Sequence, residues 1–240
     1  GSALFRNRVP DRDALLLRRA PFAGMICLGK TTLSEFAYSG LGINPIFGTP
    51  ANGADGEVER VPGGSSSGAA VSVTNGLAPA GIGSDTGGSV RIPAALNGIV
   101  GLKTTIGLLP LDGILALSPT FDTIGPLTYD VADANAIFAI LNETRPHDLS
   151  GASLDGIRLL KPKDVMYDDL DATVTGAIAA ALDHLSNAGA EIVETAVPEF
   201  GEAFEHVARH GNIISAEAYA LWHDLVESRG DEMYWGIRSR

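Results

Sequence analysis

Cysteine is almost missing from this 240-residue chain: Cys27 stands alone, inside the apolar run Met25-Ile26-Cys27-Leu28. An internal disulfide is therefore excluded, and so is any metal site built on paired cysteines. No apolar run reaches the ~18 residues that a membrane helix needs, and the first residues lack the basic-then-apolar pattern of a secretory signal. Basic residues are scarce, 17 against 29 acidic ones for a net charge of −12, which argues against a nucleic-acid backbone as a direct partner. Charged residues make up 19% of the chain where ~25% is usual. Hydrophobic residues make up 45%, enough apolar surface to exclude disorder as a general description. There is no internal repeat and no low-complexity tail. A globular protein of a reducing compartment, with a cytoplasmic location and no membrane partner, is the expectation.

Glycine is abundant by contrast. Of 29 glycines, ten lie between Gly63 and Gly101. Across Val61 to Leu102 the only charged residues are Asp85 and Arg91, where the chain-wide frequency predicts about eight. A flexible tether would also lack charge, but it would not hold Ala69-Ala70-Val71-Ser72-Val73 or Ile99-Val100-Gly101-Leu102. This segment reads as buried, tightly turning backbone, with glycines that let main chain approach a ligand or another chain segment.

Around it the pattern alternates between strand and helix. Asp11 or Asp13 is expected to cap a short helix over residues 14–17, which Pro21 stops. Residues 24–29 read as a short buried strand, and 32–39 as one or two helical turns. Prolines alternate with Gly and Asn through the loop 43–62. Residues 67–75 suit a small-residue helix or strand, with Ala and Gly favouring a closely packed helix, 78–83 a buried strand, 92–96 the start of a helix and 99–102 a strand. Asp130 is placed to cap a helix from Val131 to Leu141. Beyond Pro146 the pattern gives a strand at 156–160, a helix from Asp171 to Ala188 with Gly189 at its stop, a strand at 191–194 and helix from 202 to about 228. The expected division is a core region over 1–148 and a peripheral α/β segment of the same domain over 149–240. Strands alternating with helices imply an α/β sheet between helical layers.

Three short motifs are misleading. Gly24-x-x-x-x-Gly29-Lys30-Thr31 matches the phosphate-binding loop letter for letter, but its variable positions are Met-Ile-Cys-Leu, which belong in a sheet. Asp85-Thr86-Gly87 resembles half of an aspartic-protease dyad and has no second copy with which to share a proton. Gly64-Ser65-Ser66-Ser67-Gly68 fits a nucleophile elbow centred on Ser66, yet no apolar strand precedes it. The five histidines (His147, His184, His206, His210, His223) fall in segments that read as solvated loops and helices.

The informative pattern is a pair. Gly63-Gly64-Ser65-Ser66-Ser67-Gly68 is followed by Gly83-Ser84-Asp85-Thr86-Gly87-Gly88-Ser89-Val90-Arg91-Ile92-Pro93-Ala94-Ala95. Here the chain resembles the amidase signature family, marked by a Gly-Gly-Ser-Ser-Gly-Gly-like loop ahead of Gly-x-Asp-x-Gly-Gly-Ser-x-Arg-x-Pro-Ala. The likeness runs on through Asn97 to Lys103 and Asp122-x-x-Gly125-Pro126, and extends upstream to Gly29-Lys30-Thr31 and Glu35-Phe36.

That resemblance implies an α/β fold with a mixed β-sheet core covered by helices on both faces, incomplete at both ends. It implies hydrolysis of a carboxylic amide C–N bond without a cofactor. Ser89 would be the nucleophile, Ser65 the bridging serine that follows a cis peptide bond, and the amides of Thr86, Gly87, Gly88 and Ser89 the oxyanion hole. Gly64, Ser66, Asp85 and Arg91 would support them, Asp85 and Arg91 as a buried pair holding the loop. The family's base is a neutral lysine, and the uncharged surroundings of 61–102 suit such a shift. That lysine belongs to a segment upstream of the region matched here, and none of Lys30, Lys103, Lys161 and Lys163 takes its place. Either the chain is part of a longer amidase, the favoured reading, or the polypeptide lacks its base and is a non-catalytic relative. The resemblance equally covers the glutaminase subunit of a tRNA-dependent amidotransferase. Partners would be a small-molecule amide and either a second copy of the chain or the other components of an amidotransferase.

Overall fold

The computed structural model describes residues 1–240, which divide into two compact units: Gly1–His147 with Ile213–Arg240, and Asp148–Asn212. Residues 213–240, grouped by sequence with the peripheral segment, belong with the first unit. The architecture is mixed α/β, with strands in two sheets, one antiparallel and one parallel.

In the first unit, α1 (Leu15–Arg19), α2 (Ser67–Thr74), β1 (Ala80–Asp85), α3 (Arg91–Asn97), β2 (Val100–Gly101), β3 (Thr123–Thr128) and α4 (Val131–Leu141) follow in order. The sheet order is β1-β3-β2, with Gly83 opposite Gly125, Asp85 opposite Thr123 and Gly101 opposite Leu127. Ile124 and Leu127, three residues apart on the central strand, point to opposite faces. Leu127 packs with Ala69, Ala70, Val90 and Ala94, so small side chains of α2 and α3 bring those helices close. Ile124 packs with Leu16, Leu109 and Leu141, which seats α1 and α4 on the other face. Asp130 caps α4 as expected, its side chain accepting from the Asp133 amide at 2.8 Å. No aspartate side chain caps α1, whose N-cap is Ala14.

In the second unit, β4 (Arg158–Pro162) and β5 (Glu191–Thr195) run parallel, joined through α5 (Ala172–Asn187), and α6 (Pro198–His210) follows. Asp171 caps α5 by accepting from the Val174 amide at 2.9 Å. The single helix expected over 202–228 is two. Gly211, at φ +80°, separates α6 from α7 (Ile213–Arg229), which lies in the first unit with α8 (Trp235–Arg238).

Two expectations fail for stated reasons. Residues 24–29 form no strand: Gly24 is a left-handed turn, no strand of the chain pairs with the rest, and Ile26 and Leu28 are 83% and 72% exposed. Apolar composition raises the tendency to be buried, but a strand also needs a neighbour. Residues 32–39 hold only a 3-10 turn, Glu35–Ala37, because Phe36 and Ala37 both have positive φ, 52° and 58°. Phe36 is turned there into an aromatic cluster with Phe5 and Trp222, ring centroids 5.5–5.6 Å apart. Glu35 beside it is fully buried and accepts from the Ser2 hydroxyl and from the Tyr234 amide at 2.7 Å, tying residue 2 to the segment before α8. No helix is long and apolar enough to cross a membrane.

Candidate active site

The turn from Asp85 to Arg91 joins the end of β1 to the start of α3, and one carboxylate sets its shape. Oδ1 of the fully buried Asp85 accepts from the Gly88 amide at 2.8 Å, and Oδ2 from the amides of Val90 and Arg91 at 3.1 and 3.3 Å. The Arg91 guanidinium closes a two-point pair, Nε to Oδ2 at 3.0 Å and Nη2 to Oδ1 at 2.9 Å. Val90 and Arg91 stand at the start of α3, where amides have no partner within the helix, so Asp85 caps the helix from outside it. Burial pushes the Asp85 carboxyl up, but the Arg91 guanidinium and the amides of Val90 and Gly88 outweigh it and hold the group below the ordinary carboxylate range. The expected pair is thus present, but only its acid is buried: 53% of the Arg91 side chain is exposed.

A second carboxylate steadies the turn from the side. Asp122 accepts the Thr86 hydroxyl on Oδ1 and the amides of Leu117 and Ser118 on Oδ2, at 2.9 and 3.1 Å. The Thr123 hydroxyl donates to the Asp85 carbonyl at 2.7 Å. Sequence reading carried Asp122 only as part of a resemblance, since nothing in a 36-residue separation announces that it holds Thr86.

The serine loop reaches this turn along its main chain. The Gly64 amide donates to the Gly40 carbonyl at 2.8 Å, and the Gly64–Ser65 peptide is cis. A β-carbon on Gly64 would stand 2.5 Å from the Gly42 nitrogen and 2.6 Å from the Ser39 oxygen, so only glycine fits between them. The Ser66 amide donates to the Ser89 carbonyl at 3.2 Å, which brings the two serine-bearing loops together. Ser66 itself is occupied, its hydroxyl donating to the Ser84 carbonyl at 3.3 Å.

Two hydroxyls and three amides remain uncommitted. Ser65 Oγ is buried and makes no hydrogen bond. A buried hydroxyl without a partner costs ~1–3 kcal/mol, and such groups concentrate where structure serves reactivity. Ser89 is 8% exposed, on the same turn as the amides of Thr86, Gly87 and Ser89, which have no acceptor in the chain. Gly88, expected beside them as an oxyanion donor, is turned to Asp85 instead. No lysine bonds either serine: Lys30 is exposed, Lys103 donates to the Thr104 carbonyl at 2.6 Å, and Lys161 and Lys163 pair with Glu194 at 2.6 and 3.5 Å. All five histidines are exposed, and no cluster of three or more His, Cys, Asp or Glu could hold a metal ion.

The family model for amidases covers residues 1–234. A 2-amino-5-chloromuconic acid deaminase of Comamonas testosteroni is 42% identical over 198 residues, 81% of this chain and 42% of that protein. A glutamyl-tRNA(Gln) amidotransferase subunit of Symbiobacterium thermophilum is 36% identical over 210 residues, 82% of this chain and 43% of the relative. Among solved structures, that of an amidase superposes with a TM-score of 0.84 at 32% identity, over 97% of this chain and 51% of that one. The corresponding glutamyl-tRNA(Gln) amidotransferase subunit from Thermotoga maritima gives 0.82 at 31% identity, over 95% and 53%. The chain therefore spans about half the length of the proteins it matches. With a family model that runs along nearly its whole length, the chain belongs to the amidase signature family.

Proposed function

We propose that the protein hydrolyses a carboxylic amide through an acyl-enzyme on Ser89. In this reading Ser89 Oγ attacks the carbonyl carbon, and its proton passes through Ser65 Oγ to a base. The carbonyl π electrons move to oxygen, where the amides of Thr86, Gly87 and Ser89 receive the charge. Collapse of that intermediate breaks the C–N bond, the leaving nitrogen takes the proton, and water then cleaves the ester at Ser89. The base is the neutral lysine of the family, a role that no residue of this chain fills.

One observation carries the reading: a buried, unbonded Ser65 hydroxyl lies one residue from the main-chain contact with Ser89, whose turn keeps three amides free. A second reading, the glutamine-cleaving subunit of a tRNA-dependent amidotransferase, draws support from the relatives of that name at 36% identity and at a TM-score of 0.82. Its single exposed cysteine suits a cytoplasmic protein. A fluorophosphonate probe applied to the protein at its natural full length tests the chemistry. Labelling should map to Ser89, and Ser89→Ala should abolish it and lower amide hydrolysis by on the order of 10³-fold or more. Labelling elsewhere, or full activity in Ser89→Ala, overturns the proposal. Turnover of simple amides by the protein alone favours the first reading; turnover of glutamine only with added partner proteins favours the second.

A further inference from the structure

Between the buried Asp85 and Val90, the turn is open to solvent at Gly87. Gly88 and Ser89 are buried, whereas Gly87 is exposed, and the one side chain within 4 Å of where its β-carbon would stand is Ile214, with Cδ1 at 3.8 Å. Ile214 lies in the first turn of α7 and is half-buried. Its neighbours fix it from two sides. Ser215 Oγ shares a hydrogen bond with the Tyr38 hydroxyl, on the segment that packs against Gly64. One turn on, Glu217 receives the hydroxyls of Ser118 and Thr120 and, at 3.2 Å, the Thr120 amide. Trp222 adds a bond from Nε1 to the Ala116 carbonyl at 3.0 Å. Residues 116–120 are the loop that Asp122 gathers before it holds Thr86, so α7 and the turn share one support.

In the proposed reaction the amide oxygen sits on the Thr86 and Gly87 amides and the acyl substituent would run past Gly87, beside which the Ile214 side chain stands. We infer, on the amide-hydrolase reading above, that Ile214 sets the size of the acyl group the protein accepts, and that its substrates are amides of short aliphatic acids. An apolar side chain carried on a helix held by those bonds disfavours a longer chain by steric exclusion, at roughly 10- to 200-fold for each methylene that does not fit.

The test measures kcat/KM for acetamide, butyramide and hexanamide in the full-length wild type and in Ile214→Ala, Ile214→Val and Ile214→Phe, with circular dichroism to establish folding. Wild type should prefer the shorter amides. Ile214→Ala should raise the hexanamide-to-acetamide ratio by about 10-fold or more, Ile214→Val should raise it less, and Ile214→Phe should lower it. Should Ile214→Ala fail to fold, the opposed directions of the Val and Phe variants still decide. Ratios that stay within about two-fold of wild type in folded variants overturn the inference, as does a wild type that prefers hexanamide or cleaves no aliphatic amide. Probe labelling at Ser89 reports separately: its presence with unchanged ratios sinks only the role of Ile214, while its absence sinks the hydrolase reading as well.

Discussion

Replacing Asp85 tests what holds the turn from Asp85 to Arg91. The carboxylate is the shared acceptor of three amides and a guanidinium, and Asp85→Ala removes all of these bonds at once. The guanidinium, half-exposed, returns to water, and the amide of the exposed Arg91 has the same recourse. Gly88 and Val90 are buried and have none. Two stranded amides, each losing a bond to a charged acceptor at ~1.5–2 kcal/mol, set the expected loss at about 3–4 kcal/mol. Asp85→Asn keeps one oxygen and turns an NH₂ toward a former donor, for about 2 kcal/mol. Arg91→Met leaves the carboxylate with all three amides and removes an ion pair screened by water, for about 1 kcal/mol or less. Urea unfolding at neutral pH, followed by intrinsic fluorescence, should give that order. The folded Asp85 carboxyl lies below its unfolded value, so its contribution is full above the ordinary carboxylate pKa and disappears as pH falls through the lowered one. Asp85→Asn should flatten that acid limb. An Arg91→Met as costly as Asp85→Ala would refute the reasoning, because the guanidinium rather than the amides would then be the main partner.

Two further substitutions probe the neighbouring contacts. Gly64→Ala should cost about 3 kcal/mol, read from a thermal melt, because its β-carbon meets backbone atoms that have no rotamer with which to yield. Asp122→Ala should cost about 2–3 kcal/mol by releasing the Thr86 hydroxyl and two amides. Labelling of Ser89 should slow more in Asp122→Ala than in an equally destabilised variant far from the turn, since the Thr86 amide loses its orientation.

How far the fold can be read from the sequence depends on whether a segment is decided locally. The helix at 131–141 is announced by its cap at Asp130 and by apolar spacing, and the helix at 172–187 by Asp171 in the same way. The central strand β3 is not announced at all. It reads Thr-Ile-Gly-Pro-Leu-Thr, and Gly-Pro in mid-strand argues against a strand, since proline lacks a ladder donor. The reason lies in another part of the chain: the Leu102 carbonyl stands 1.8 Å from where a Gly125 β-carbon would be, and the Leu102 amide donates to the Pro126 carbonyl at 3.0 Å. Residues 24–29 give the converse error, a locally persuasive strand that no part of this chain pairs with.

The same distinction runs through the site. Its floor is main chain, and main chain that must pack closely leaves a record in the sequence as glycine, small side chains and missing charge. That record is why residues 61–102 stand out, and why the only two charges among them turn out to bind each other. The two serine-bearing loops meet, through the Ser66 amide and the Ser89 carbonyl, because α2 and α3 pack through alanines on one face of the sheet, with Ser65 just before the first helix and Ser89 just before the second. Its walls, in contrast, are side chains borrowed at long range. Asp122 lies 36 residues from Thr86, and Ser215 lies 177 from Tyr38. A motif can therefore mark the turn proposed for bond-making, while Ile214, proposed to choose among substrates, sits on a helix whose sequence carries no sign of the turn it faces. For this chain the family and the proposed nucleophile were legible and the surface proposed to select substrates was not, which is why Ile214, unremarkable in sequence, is the residue on which a substrate series bears most directly.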